Sequence, residues 1–322
     1  FLVRAVKEAG IQAISGKLVG DVSLMDSIYW GEGWSWDDTP EAFQPYLSPL
    51  MLNRGCVDIK VSPSSKGKVG VVEIIPESDY YQLNNRSISL HPEAGKLKIT
   101  RDWLTNGNTI DVSGSVSSVR KRTLNLYDSK QFFMDTFCYK LKKEGLSVSK
   151  DSIFFLTTPD TVQWIYTCRR PVEAVLKRAL KESDNLSAEA LFRQLGRMNG
   201  KHTSHISFKD CQGVVEGFMR NTLGYDSENY QIVDGSGVSL YNYVSPRLVL
   251  AYLNYAYRHP SLFRVFYDCL PVAGVDGTLQ GRMRTGKAFR NVRAKTGTVT
   301  GISSLAGYLT SVNGHKISFV II

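Results

Sequence analysis

"AKTGTVTG", residues 294–301, is the stretch on which the reading of this chain turns. A lysine, two threonines and a glycine stand together just before "SSLAGYLTSVNGHKISFVII" (303–322). That later segment alternates around Asn313-Gly314, and Asn-Gly between two apolar runs is the strongest short-range hairpin signal. Residues 294–301 therefore read as a strand leading into an antiparallel hairpin. Lys295 on such a strand is either a solvated charge or part of a wall that holds an anion.

Upstream of the strand the pattern is helical. "RPVEAVLKRALKESD" places Val172, Val175, Leu176 and Leu180 at i, i+3, i+4 spacing. "SAEALFRQLG" reads as a second helix, and Asp210 as a cap for "CQGVVEGFMRNTLG". "SPRLVLAYLNYAYRHP" opens on an N-cap Ser245 with Pro246 at the first helical position, and Pro260 lies just past its end. Helices followed by an antiparallel sheet edge account for residues 166–322.

The first 165 residues read differently. They are mixed and strand-rich, with "CVDIKVSPSSKGKVGVVEII" as two strands around a polar loop. "KLKITRDW" and "TIDVSGSVSSVR" alternate on either side of a turn at 105–108. One helix is expected over Lys130–Glu144, with Phe133, Phe137 and Leu141 on a common face. "WGEGWSWDD" (30–38) reads as a loop whose tryptophans pack beneath it rather than hold a sugar.

Composition narrows the classes. A chain of 322 residues, 43% hydrophobic and 21% charged, has the length of about two or three globular domains. No apolar run approaches the roughly 18 residues that span a bilayer. The formal charge is +9, but the densest basic cluster is only Arg120-Lys121-Arg122, with no zinc-finger or RRM pattern beside it. This argues against nucleic acid and suits the neighbourhood of an anionic cell wall, where peripheral association with a membrane is also compatible. Five scattered cysteines contain no Cys-x-x-Cys and read as small buried hydrophobes. His202-x-x-His205 lacks an acidic third ligand, and no metal is expected. No Gly-x-Ser-x-Gly elbow is present, which argues against an α/β-hydrolase, and there is no phosphate-binding glycine loop. The chain opens inside a helix pattern and closes inside a strand pattern, and both ends are expected to be cut.

Two motifs carry chemistry. Ser183-Asp184-Asn185 lies between two predicted helices, and Lys295-Thr296-Gly297 lies 112 residues beyond it on the strand. Either alone is unremarkable: a polar loop, or a solvated strand. In combination they are part of the signature of serine β-lactamases and penicillin-binding proteins. With "VDGSGVSLYNYVSP" (233–246), "LPVAGVDGTLQGRM" (270–283), "AISGKLVGDVSLMD" (13–26) and "GEGWSWDD" (31–38), the chain resembles the D-alanyl-D-alanine carboxypeptidase/endopeptidase family, the class C low-molecular-mass penicillin-binding proteins of peptidase family S13.

The resemblance implies a multi-domain α/β fold. A β-lactamase/transpeptidase-like domain would occupy residues 166–322, with inserted strand-rich domains over 1–165. It implies a periplasmic serine D-Ala-D-Ala carboxypeptidase, with endopeptidase action on cross-links as a further activity. The enzyme would act on peptidoglycan peptides through an acyl-enzyme, with no metal or cofactor needed, and be acylated by β-lactams. Ser183, Asn185 and Lys295 would be catalytic. Ser183 would help pass a proton to the leaving amine, and Asn185 would bind a substrate carbonyl and orient the catalytic lysine. Lys295, Thr296 and Thr298 would hold the terminal carboxylate. Gly297 would let the substrate backbone lie against the strand, and the Thr298 N–H would form half an oxyanion hole.

The family nucleophile is the serine of a Ser-x-x-Lys at the start of a buried helix. Three such spacings occur here, at Ser65, Ser118 and Ser147, and none opens an apolar helix. The nucleophile is therefore expected before Phe1. The alternative from another class is a non-catalytic cell-wall peptide-binding protein that lacks it.

Overall fold

The computed structural model describes residues 1–198 and 205–322, and the chain divides into two compact units. The first comprises Phe1–Trp30 and Ser35–Cys168, the second Gly31–Trp34 and Arg169–Ile322. His202 lies outside the described residues.

In the first unit α1 (Leu2–Glu8), β1 (Ala13–Ile14) and β2 (Leu18–Gly20) precede a long loop. There follow β3 (Cys56–Ser62), β4 (Val71–Ile75), β5 (Gln82–Ser89), β6 (Lys98–Arg101), β7 (Thr109–Val116) and β8 (Arg120–Asn125). α2 (Ser129–Lys143), β9 (Ser147–Val148) and β10 (Ile153–Phe155) complete the unit. β3 lies between β4 and β8 in one antiparallel sheet. β7 lies between β5, parallel to it, and β6, antiparallel. Period-two alternation sends Val57, Ile59 and Val61 of β3 and Ile110, Val112 and Val116 of β7 into one core, which Phe132 of α2 completes. Arg101 is 2% exposed within this unit. Its guanidinium donates to the backbone carbonyls of Asn125 at 2.8 Å and Gly107 at 2.7 Å and to Asn125 Oδ1 at 3.0 Å, so the buried charge is fully engaged.

The helix expected over 130–144 is present, but its face is rotated. Phe132, Cys138 and Leu141 are buried while Phe133 and Phe137 are half-buried, because Phe132 fills the core of the two sheets. Four cysteines are buried and all five are free; Cys168 is exposed.

The second unit contains α3 (Val172–Lys181), α4 (Asn185–Met198), α5 (Phe208–Phe218), α6 (Pro246–Arg258) and α7 (Pro260–Cys269). These precede the meander β11 (Arg293–Val299), β12 (Ile302–Thr310) and β13 (Lys316–Ile321). Ser245 caps α6 through Leu248 N, as its sequence implies. Ser207, not Asp210, caps α5: Asp210 is the third helical residue and reaches back to the Ser207 N–H, forming a capping box. Pro260 does more than end a helix, since it opens α7. Val172 stays 66% exposed, and the inner face of α3 is Val175, Leu176, Ala179 and Leu180.

The meander is fixed from behind. Tyr308 of β12 is fully buried, and its hydroxyl donates to the Leu253 carbonyl of α6 at 2.7 Å. Around it pack Leu270, Phe263, Phe266 and Tyr267. β11 meets β12 at unusually close quarters. A Cβ on Gly307 would lie 2.1 Å from the Arg293 carbonyl oxygen and 2.6 Å from Ala294 Cα. Those atoms are backbone, so nothing flexible can yield. Gly307→Ala is expected to lower stability by about 2 kcal/mol and to lower the melting temperature of the intact protein. An unchanged melting temperature would show that the two strands can part without cost.

Candidate active site

The second unit brings its two motifs together. α3 ends at Lys181, and Ser183 turns the chain with φ 56°, a left-handed conformation that a non-glycine residue adopts only where its surroundings hold it. Asp184 follows, buried, and accepts from the Ser187 N–H at 3.0 Å and its hydroxyl at 2.5 Å, which caps the first turn of α4. Arg178 lies 3.5 Å from the same carboxylate. Asn185 is the first residue of α4. The strained turn and the cap together fix where the Ser183 hydroxyl points.

Opposite stands β11. Lys295 Nζ donates to Ser183 Oγ at 2.8 Å and to the Thr296 carbonyl at 2.5 Å. The ammonium has no carboxylate within 4.0 Å among the described residues. Burial alone pushes the Lys295 pKa below its ordinary value. Thr296 Oγ1 donates to Thr278 Oγ1 at 2.9 Å. The sequence alone assigns Thr278 no role, although the segment around it, residues 270–283, resembles the family. Its position is built by long-range contacts: Asp276 accepts from Lys181 Nζ at 2.5 Å, and Gly277 takes φ 56°. A Cβ on Gly277 would lie 2.5 Å from the Lys181 carbonyl oxygen. The turn 276–278 thus rides on the end of α3.

The other two expected residues of the strand sit differently. Gly297 faces Ser304 of β12, and a Cβ there would come 2.3 Å from Ser304 Oγ, so its size has a reason inside the sheet itself. Thr298 pairs with Ser303 and is exposed. Ser183, Lys295, Thr296 and Thr278 form one hydrogen-bonded line, with Asn185 at the helix end and Thr298 farther along the strand.

A second polar cluster packs on α4. Asp234 accepts from Trp34 Nε1, the Gly237 and Ser239 N–H groups and Asn242 Nδ2, each at 2.8 Å. Glu189, one turn after Asn185, accepts from the Gly235 and Ser236 N–H groups at 3.1 and 2.8 Å through one oxygen. Its other oxygen is buried without a partner among the described residues. Burial, and then the nearby Asp234 charge, raise the Glu189 pKa to about 7. A carboxyl raised in the folded state stabilises fully below its unfolded value and loses that contribution as the pH rises through the folded one. Stability is therefore expected to fall between roughly pH 4.5 and 7. Glu189→Gln, which keeps the accepting oxygen, should flatten that slope in urea denaturation. A wild-type slope retained in the variant would assign the dependence to other groups.

Among the described residues no group of three or more His, Cys, Asp or Glu could hold a metal ion, and no helix is long and apolar enough to cross a membrane. Of the three Ser-x-x-Lys spacings, Ser65 lies in a turn, Ser118 before a strand and Ser147 on one.

Comparison with known proteins gives the family. The D-alanyl-D-alanine carboxypeptidase DacB of Haemophilus influenzae is 26% identical over 99% of this chain and 67% of its own length. The D-alanyl-D-alanine carboxypeptidase of Actinomadura sp. is 28% identical over 98% of this chain and 61% of its own. The chain thus spans about two thirds of these relatives. The crystal structure of penicillin binding protein 4 (dacB) from Haemophilus influenzae superposes with a TM-score of 0.81 at 25% identity, over 99% of this chain and 71% of that one. The multi-domain α/β architecture is therefore that of a penicillin-binding protein with inserted domains. The model of the D-Ala-D-Ala carboxypeptidase 3 (S13) family matches residues 1–322, and the chain belongs to that family.

Proposed function

We propose that the protein containing these residues is a serine-type D-Ala-D-Ala carboxypeptidase that works through an acyl-enzyme, with endopeptidase action on cross-links as a second outcome of the same chemistry. One observation carries the reading: a half-buried ammonium, without a carboxylate within 4.0 Å among the described residues, held on a serine hydroxyl 2.8 Å away. A cation withdrawn from water calls for an anion, and the terminal carboxylate of D-Ala-D-Ala is one. The carboxylate of a β-lactam is another, and β-lactams are proposed as acylating inhibitors.

In this reading Lys295 supplies the positive potential, and the Thr296 and Thr298 hydroxyls donate to the carboxylate. When the Thr296 proton turns to the carboxylate, Thr278 donates its own hydroxyl to Thr296 Oγ1 across the same 2.9 Å contact, so it holds Thr296 in its rotamer and is a positioning residue. Ser183 relays a proton toward the leaving amine, using the lysine ammonium to polarise its hydroxyl. Asn185 donates its amide to a backbone carbonyl of the peptide. The Thr298 N–H provides one donor for the oxyanion and Gly297 leaves the strand surface low. The nucleophile is a Ser-x-x-Lys serine outside these 322 residues, because none of the three spacings within them opens a helix. Residues 166–322 are the C-terminal part of the transpeptidase-like domain, residues 1–165 are inserted domains, and the protein works in the periplasm without a cofactor.

The test is release of D-Ala from a pentapeptide substrate by the intact protein, together with covalent labelling by penicillin. Absence of a covalent adduct would sink the enzymatic reading in favour of a non-catalytic peptide binder. The pH dependence is a sharper signature. Because burial lowers the Lys295 pKa, acylation by an anionic β-lactam is expected to fall on an alkaline limb centred below the ordinary lysine range. Lys295→Arg, whose side chain stays charged, should react about tenfold more slowly and move that limb upward. An unmoved limb in the arginine variant would assign it to another group.

A further inference from the structure

The first unit contains a groove of about 560 Å³ that the chemistry above does not use. It lies where β6, an edge strand of one sheet, comes near β8, an edge strand of the other. Lys96, Arg120, Lys121 and Arg122 line it, together with the Ser115 and Ser117 positions. Neither an acidic nor an aromatic side chain is among its lining residues.

The charges are not satisfied by the fold. Arg122 is bonded to Glu41, but Lys96, Arg120 and Lys121 have no carboxylate within 4.0 Å among the described residues. Lys121 stands directly across from Lys60 in the β3–β8 register, a like-charge pair that costs stability. Glu73 engages Lys60 at 2.9 Å and leaves Lys121 uncompensated. Three unpaired cations around one concavity, one of them in an unfavourable cross-strand pair, are what charge complementarity to an anionic ligand requires. Single-stranded nucleic acid would need rings on which bases stack, and the groove has none. Carboxylates need only cations, hydroxyls and the outward backbone N–H groups that edge strands leave open.

We propose that this groove binds the carboxylates of peptidoglycan stem peptides, as an attachment site in the first unit additional to the Lys295 site. The choice of ligand rests on the peptidoglycan reading given above.

The experiment is co-sedimentation of the intact protein with purified peptidoglycan sacculi, freed of protein and lipid, at low ionic strength. The K96Q/R120Q/K121Q variant is expected to bind about tenfold more weakly, three exposed charge contacts of ordinary strength. The charge-matched variant K177Q/K209Q/K287Q, altered in the second unit, should bind within about twofold of wild type. Sacculi whose carboxylates have been amidated should bind wild type at least as weakly as untreated sacculi bind the triple variant, since amidation also removes the anion proposed for Lys295. Lys121→Gln alone relieves the like-charge pair with Lys60, so it should leave the melting temperature at or above the wild-type value and still weaken binding about twofold. Penicillin labelling should be the same in all variants.

The proposal is overturned if the triple variant sediments like wild type, if amidation has no effect, or if phosphatidylglycerol vesicles or polyphosphate bind better than sacculi. Its failure is separable from failure of the enzymatic reading. Loss of groove-dependent sedimentation with penicillin labelling intact removes only the groove, and absence of labelling with groove-dependent sedimentation intact removes only the peptidase.

Discussion

The hydrogen bond from Lys295 Nζ to Ser183 Oγ joins two parts of the second unit that meet nowhere in sequence. One is a strand, the other a turn between helices. Each side is held independently. Tyr308 and the tight approach at Gly307 fix the strand, while the Asp184 cap and the left-handed Ser183 fix the turn. Only with both in place can a lysine be withdrawn from water and rest on a hydroxyl. A shift of one residue in the β11–β12 register would send Lys295 to the opposite face of the sheet and leave Ser183 without its donor.

Much of this was legible in advance, and the reason is locality. Asn313-Gly314, Ser245-Pro246 and the alternation of residues 303–322 are features of a few consecutive residues, and the hairpin and the α6 cap follow them. Ser183 and Lys295 were found because each belongs to a short motif with a known chemical meaning. Thr278 was not assigned a role because its significance depends on Lys181 and Thr296, both far away in the chain. The same holds for Trp34, whose indole N–H meets Asp234 across 200 residues. Residues 31–34, which the resemblance places within the inserted domains of 1–165, belong to the second unit. The misread cap of α5 was a local error: Ser207 and Asp210 both suit helix starts, and three-residue spacing lets them act together.

Charge is distributed with the same logic. The buried arginine of the first unit is fully engaged, so it serves cohesion. Lys295 and the groove residues Lys96, Arg120 and Lys121 have no carboxylate within 4.0 Å among the described residues, so an arriving anion gains their attraction without displacing an ion pair. A net charge of +9 is therefore not a uniform property of the surface. Part of it is structural, and part is kept available for a ligand.

The most direct measurement is a double-mutant cycle on the rate at which labelled penicillin acylates the intact protein, using Ser183→Ala, Lys295→Ala and both together. If the two side chains act as one unit, each single change should slow acylation about a hundredfold, and the double variant should be no slower than about the worse single. Effects that multiply in the double variant would mean that the 2.8 Å contact is not used in the reaction.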